Sequence, residues 1–552
     1  MAEIANPVAA ASPVVLFGDP DRPVTPADVE AVACGAALAE LHDESIARAA
    51  RSEALVARMV SDRRAIYGVT TGFGPLADNQ IDPARGELLQ RRLVQHLATG
   101  VGAPFPPVEA RAIVASRLAT LARGMSAVRP DLLRWMVDFL NAGLAPVMPE
   151  KGTVGASGDL TPLSHMALAF MGEGACWRDG SPAPSAGILV AAGLAPVTLA
   201  YKEGLALVNG TSAMAGVAAL NGVRARRLVR AAALLTVAYA EILGGHRAAW
   251  HPLTAVARPH PGQRRAAALL WALTDDAPRL VPFRPMPGPI ATEIDASGVA
   301  HDRELPQDAY SIRCAPQALG AVDDMLVHHD GVVGIELSAV TDNPIVFTDA
   351  DDEGEVLLHA GNFFGQHVSF ASDNLHNAVA MLGVWSERQI ARVTDVSLNR
   401  GLPPFLQGNA TGLNSGFMGA QVTASALVAE LRTKSVPASI QSVPTNANNQ
   451  DVVTMGTIAA RRARDAVADV GRILAIEALC LAQAIDLRSA ADPARFSEAA
   501  LAVRAAVRGT SSFLHDDRPL SGEIEALADR LIDGRFETAV RVGAVGERLD
   551  AF

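Results

Sequence analysis

Apolar residues recur at helical spacing through most of the chain. Between Gly86 and Gly100, Leu89, Leu93 and Leu97 fall four residues apart and share one side of a helix, with His96 beside them. Arg91 and Gln95 lie well away from that side and Arg92 sits on its flank, so His96 is expected to point inward with the leucines. Up to about residue 205, short patterns of this kind alternate with glycine and proline punctuation. The segment Tyr67-Gly68-Val69-Thr70-Thr71-Gly72-Phe73-Gly74-Pro75 is one such loop. From Ala206 onward the periodic segments lengthen. Asp451 to Arg488 contains no proline, and its only glycines are Gly456 and Gly471; Phe363 to Val393 and Met418 to Lys434 read the same way. All three exceed the average helix of about 11–12 residues. The pattern predicts a mainly α fold with few strands: an N-terminal region over 1–205, then an extended long-helix bundle with C-terminal helices over 206–552. No solenoid-type repeat is present. Asp302 to Pro306, after the proline-rich Pro282 to Pro289, is expected to be a mobile connection.

Composition adds an expectation about assembly. Of 552 residues, 49% are hydrophobic and 19% charged, against about 25% charged in an average soluble domain. The spare apolar surface is more than one modest core needs, so burial between subunits is expected. The net charge of −12, without a basic run, argues against a nucleic-acid partner. Four cysteines without a CxxC pair fit a reduced cytoplasmic protein and offer neither a disulfide framework nor a zinc knuckle. The first residues lack Lys or Arg before Arg22 and are interrupted by Pro7 and Pro13, unlike a signal peptide. Ser181 to Tyr201 is uncharged and long enough to raise the question of a membrane span. Its three prolines and two glycines predict loop and short packed segments instead. Asp349 to Gly354 begins like a calcium loop, but Ala360 stands where the bidentate Glu belongs. His328-His329-Asp330 lacks metal-site spacing, and no phosphate loop occurs, so neither metal nor nucleotide is expected.

The most informative run is Gly152-Thr153-Val154-Gly155-Ala156-Ser157-Gly158-Asp159-Leu160-Thr161-Pro162-Leu163. Taken alone, Ala-Ser-Gly is a glycine turn before a helix starting near Pro162. A serine-hydrolase elbow, Gly-x-Ser-x-Gly, fits Gly155 and Ser157 but fails at Asp159, where the second glycine should stand. The run resembles the signature of the histidine, phenylalanine and tyrosine ammonia-lyase family. In that family Ala-Ser-Gly cyclises into a methylidene-imidazolone, so no external cofactor is needed. The resemblance implies that the Gly158 nitrogen attacks the Ala156 carbonyl, and that loss of water there and from Ser157 leaves an exposed C=CH₂ group. The residue types suit this: Gly158 has no Cβ to obstruct a compressed turn, Ser157 has a hydroxyl to lose, and Ala156 adds little bulk. The chemistry also needs such a group. Losing ammonia from an α-amino acid requires removing a weakly acidic β-proton and expelling a poor leaving group, and no ordinary side chain is an electrophile. A base then takes the β-proton.

Further motifs resemble the family in order from Tyr67 to Asp451. The tyrosine loop implies Tyr67 as general base. Leu207-Val208-Asn209-Gly210-Thr211-Ser212 implies that Asn209 bonds the electrophile or the substrate amine region. In Asp308 to Gln317, Arg313 is implied to grip the carboxylate with two parallel hydrogen bonds. Tyr310 would assist proton movement and Gln317 would support the electrophile. Thr341-Asp342-Asn343-Pro344 and Gly361-Asn362-Phe363-Phe364-Gly365-Gln366 put Asn343 and Phe363 in or beside the pocket. Thr445-Asn446-Ala447-Asn448-Asn449-Gln450-Asp451 adds Asn446 and Gln450; histidine-specific members carry Glu at the place of Gln450. Each residue also has a plainer reading, as a packed loop tyrosine, a turn asparagine, a surface arginine or a core histidine.

Two positions bear on the substrate. Histidine members show Ser-His where His96-Leu97 stands, phenylalanine members Phe-Leu and tyrosine members His-Leu. The resemblance therefore implies L-tyrosine, converted to p-coumarate, with His96 bonding the phenol; such a site discriminates strongly against a ring lacking the hydroxyl. Arg92 departs from the family's frequent Asn. Gln95 departs from the aromatic or second His of tyrosine members and leaves room for a catechol amino acid. L-Phenylalanine, L-DOPA and L-histidine remain alternative substrates. So does an aminomutase, which returns the amine to the β-carbon, and, in a different class, a non-catalytic helical scaffold. The resemblance also implies a homotetramer with sites shared between subunits.

Overall fold

The computed structural model describes residues 13–286, 297–298, 307–491 and 496–550, so the connection expected at Asp302–Pro306 lies outside it. Its elements follow from local signals. Pro107 opens the helix Pro107–Leu121, where its missing N–H costs nothing. Every residue from Glu109 to Leu121 is buried, which makes this a central helix rather than an amphipathic one. Two of its buried positions are arginines. Arg111 donates to the carbonyls of Val32, Ala33 and Leu140, at the ends of the Pro26–Ala33 and Pro130–Asn141 helices. Arg117 donates through Nε to Ala206 O at 2.8 Å. Burial pushes the Arg117 guanidinium down to about 10, with Asp342 and Asp159 pulling the other way.

The fold is mainly α, as expected. The strands among the described residues form four two-stranded sheets. One pairs Val14–Phe17 in parallel with Leu38–Leu41; the others are antiparallel. Ser181–Pro184 is a strand and Ser185–Ala191 a short helix, so the uncharged Ser181–Tyr201 stretch is short packed segments. No described helix is long and apolar enough to cross a membrane. Asp349–Gly354 holds an exposed 3₁₀ turn at Asp351–Glu353.

The chain packs into two units, each discontinuous in sequence. The first comprises Met1–Val223, His328–Asn374 and Val436–Arg464; the second comprises Arg224–Val327, Leu375–Ser435 and Asp465–Phe552. Four of the five unit boundaries fall within long helices, Ser212–Ile242, Ala315–Leu337, Gln366–Thr394 and Gly456–Ala491, and the fifth, between Ser435 and Val436, falls just after the Met418–Thr433 helix. The boundary near residue 205, read from helix length, falls inside the first unit. The last long helix begins at Gly456 although its periodic pattern begins at Asp451. Met455 has φ +55° and its N–H donates to Val154 O at 2.9 Å, so the segment before it serves the Ala-Ser-Gly run instead of extending the helix.

Candidate active site

The Gly152–Leu163 run is held from two sides within the first unit. On one side Met455 N donates to Val154 O and Thr454 Oγ1 donates to Gly155 O at 3.4 Å. On the other, Gly210 N donates to Ser157 O at 3.2 Å and Asp159 N to Gly210 O at 2.8 Å. Ser157 and Gly158 are both left-handed, with φ +53° and +74°. That region is natural for glycine, but a serine stays there only when its surroundings hold it. A Cβ at residue 158 would lie 2.1 Å from Gly210 O, and one at residue 210 would lie 2.2 Å from Thr341 O. Three backbone segments therefore meet with no room for side chains, around a tripeptide already turned tightly. These residues fit a cyclised Ala-Ser-Gly.

Asp159 supports the run from below. Its own helix starts at Leu160, two residues before the expected Pro162, yet its carboxylate caps a different helix. Met214 N, in the first turn of Ser212–Ile242, donates to Asp159 Oδ2 at 2.7 Å, and the Thr457 hydroxyl donates to Oδ1. Burial raises the Asp159 carboxyl to about 6, while the bonds from Thr457 and from the helix N–H groups pull it down.

Above the tripeptide lies a cavity of about 970 Å³, lined by residues of the first unit. Ala156 and Ser157 form part of its wall, with Tyr67, His96, Leu97, Asn209, Asn343, Phe363, Asn446 and Gln450. Gly158 sits behind them against Gly210. Gln450 Nε2 reaches Ser157 Oγ at 3.4 Å. Asn446, Ala447 and Asn448 are all left-handed, and Thr445 and Gln450 pair across this turn, which presents Asn446 and Gln450 together.

Tyr67 is half-buried, and its phenolic oxygen accepts from Gly74 N at 2.9 Å, which leaves its proton free to face elsewhere. The loop is clamped by the buried Gln90, whose Nε2 donates to Gly68 O and whose Oε1 accepts from Leu205 N. Asn209 and Asn343 are nearly fully buried. Both are tied to Asp342, which forms a fully buried ion pair with Lys202.

His96 needs a correction. The helix runs Gly86–Leu97 and buries Gly86, Gln90, Leu93 and Val94, while His96 is exposed rather than packed among core leucines. The wheel chose the correct side, because Leu89, Leu93 and Leu97 line the cavity with His96. What lies inward there is open space. Arg91 and Gln95 point away and bond Glu173.

The cavity lining does not include Tyr310, Arg313 or Gln317, which belong to the second unit. Tyr310 is 70% exposed, and the Arg313 guanidinium lies 4.8 Å from its ring centre. Arg313 Nη1 donates to Gln307, whereas Arg313 Nε and Gln317 Oε1 are buried without hydrogen-bond partners. Sequence reasoning missed Gln90, Asp159 and the Lys202–Asp342 pair. It placed Arg92 on the flank of its helix, yet Arg92 also lines the cavity. The only hint of Arg92's place was its position one turn before His96; nothing in the sequence pointed to the buried pair.

The family profile described as Aromatic amino acid lyase matches residues 24–509, and the chain belongs to that family of carbon–nitrogen lyases. Among its relatives, tyrosine ammonia-lyase of Cereibacter sphaeroides is 47% identical, covering 93% of this chain and 97% of that protein. The MIO-dependent tyrosine 2,3-aminomutase of Streptomyces globisporus is 42% identical over 93% and 94% of the two chains. Histidine ammonia-lyase of Symbiobacterium thermophilum is also 42% identical, over 94% and 97%. The crystal structure of the Streptomyces globisporus tyrosine aminomutase superposes with a TM-score of 0.88 at 40% identity, covering 96% of this chain and 98% of that one.

Proposed function

We propose that this chain eliminates ammonia from L-tyrosine to give p-coumarate, using a methylidene-imidazolone formed autocatalytically from Ala156-Ser157-Gly158. The observation that carries the reading is one cavity walled at once by Ala156, Ser157, Tyr67 and His96. The cyclised group supplies the electrophile that draws electrons from the substrate. The remaining work falls to side chains. Tyr67 takes the β-proton, its phenolic oxygen being fixed by Gly74 N. Leu97 and Phe363 flank the ring, and His96 bonds its hydroxyl. Gln450, a neutral amide beside Ser157, suits an uncharged ring better than an imidazole. Asn209, Asn343 and Asn446 hold the polar end.

The carboxylate grip of Arg313, with Tyr310 and Gln317, comes from another copy of the chain in a homotetramer. The exposed Tyr310 and the partnerless buried atoms of Arg313 and Gln317 support this. The test is to incubate purified protein with L-tyrosine and follow the conjugated ultraviolet absorbance of p-coumarate together with free ammonia. Faster turnover of phenylalanine would remove His96 from its role. β-Tyrosine as the main product would favour the aminomutase reading, which the Streptomyces globisporus relative keeps in view.

A further inference from the structure

Asn209 and Asn343 both line the cavity, and their amide orientations are fixed by partners that leave no ambiguity. Asn209 Nδ2 lies 3.0 Å from Asp342 Oδ1 and 3.3 Å from Asn343 O. Both are acceptors only, so both Asn209 N–H groups are used and its Oδ1 is the atom left for a ligand. Asn343 is set the opposite way. Its Oδ1 accepts from Ala360 N at 2.7 Å, which leaves its NH₂ for a ligand. The lock on Asn209 is Asp342, whose Oδ1 also accepts from Asn343 N at 2.7 Å and whose other oxygen is taken by the fully buried Lys202 ammonium.

We infer that the Lys202–Asp342 ion pair is a positioning device that gives the cavity its polarity: it holds Asn209 with its acceptor toward the ammonium of an amino acid, beside the Asn343 donor that faces the carboxylate. The inference rests on the amino-acid lyase reading and assigns the orientation of the substrate's polar end. Replacing Asp342 with asparagine creates a conflict. Lys202 demands the new side chain's oxygen, which turns its NH₂ toward Asn209 and Asn343 N, forces the Asn209 amide to flip and leaves Asn343 N without its acceptor. Removing the Lys202 charge as well frees the introduced amide to turn its oxygen back toward Asn209.

The test uses the full chain and two ligands that need no turnover. Tyramine carries the ammonium without the carboxylate; 3-(4-hydroxyphenyl)propanoate carries the carboxylate without the ammonium. By calorimetry, Asp342→Asn should weaken tyramine binding about 10- to 100-fold, the worth of one charge-assisted hydrogen bond. Binding of the propanoate should fall clearly less than that of tyramine, because the Asn343 side chain that faces it is held by Ala360 N and not by Asp342. Lys202→Met/Asp342→Asn should recover most of the tyramine affinity despite carrying one more substitution, and its melting curve reports folding separately. Equal losses for the two ligands, or no recovery in a folded double variant, would overturn the inference. Ammonia release by the unaltered chain is measured independently, so failure of the lyase reading is a distinct result.

Discussion

Gly210→Ala tests whether close backbone contact is what holds the tripeptide. A Cβ at residue 210 would lie 2.2 Å from Thr341 O and 2.4 Å from Arg117 Nη1, at a φ of +139°. Keeping an L-residue in that conformation costs about 1–3 kcal/mol. Relieving the overlap means shifting residues 209–211 away from Thr341 and Arg117, and so out of their pairing with residues 157–159. That breaks the Gly210 N–Ser157 O and Asp159 N–Gly210 O bonds, each worth about 0.5–1.5 kcal/mol net. The total is about 2–6 kcal/mol, or about 3–10 °C in Tm for a unit of this size. Gly180→Ala is the control: its φ is +75°, but nothing lies within 4 Å of the added Cβ, so it costs about 1 kcal/mol. Calorimetry reads the stability, and intact mass reads the fraction of chains two waters lighter. Gly210→Ala should lower both well below the control. If the two variants melt together and both cyclise fully, the contact is not what compresses the turn.

His96→Phe should shift the kcat/KM ratio of tyrosine to phenylalanine toward phenylalanine by about tenfold or more; an unchanged ratio removes His96 as selector. Arg92→Leu removes the only Lys or Arg among the described residues lining the cavity. Inhibition by the anionic p-coumarate should weaken several-fold, with kcat nearly constant; undiminished inhibition would place Arg92 outside ligand contact. Glu477, in the second unit, is fully buried and pushed up to about 8 by burial, with the Ser386 hydroxyl pulling it down. Its folded value lies above the ordinary 4.5, so the native chain keeps a proton that the unfolded chain releases. The associated stability is full below pH 4.5 and is lost as pH rises toward 8, on the order of 5 kcal/mol in all. Glu477→Gln should therefore melt higher than the parent above pH 8 and converge with it near pH 4.5; parallel pH profiles would contradict that.

Much of the site was legible because its residues announce themselves by type. Ala156-Ser157-Gly158 needs an unhindered glycine and an eliminable hydroxyl, and the loop after Tyr67 carries the glycines that a tight turn requires. The wheel of the Gly86–Leu97 helix found the face of His96 but could not tell a packed core from a cavity, since leucines line both. Gln90 and the Lys202–Asp342 pair were illegible for another reason. Polar residues at such positions usually face water, and only the fold reveals the carbonyls and charges that satisfy them in the interior. Asp159 stands just before the helix that starts at Leu160, but its carboxylate caps the one starting at Ser212, which adjacency in sequence does not reveal. The two units were hidden because the chain passes between them mostly inside continuous helices, at four of the five crossings, where no loop or change of composition marks the passage.

The central claim is that the chain makes its own electrophile, and intact-protein mass spectrometry tests it most directly. The purified chain should be lighter than its sequence mass by two waters, with the deficit mapping to the peptide containing Ala156-Ser157-Gly158. Ser157→Ala should lack that deficit and lose nearly all release of ammonia from L-tyrosine. A chain at full sequence mass that still releases ammonia, or a Ser157→Ala variant with undiminished turnover, would contradict the account.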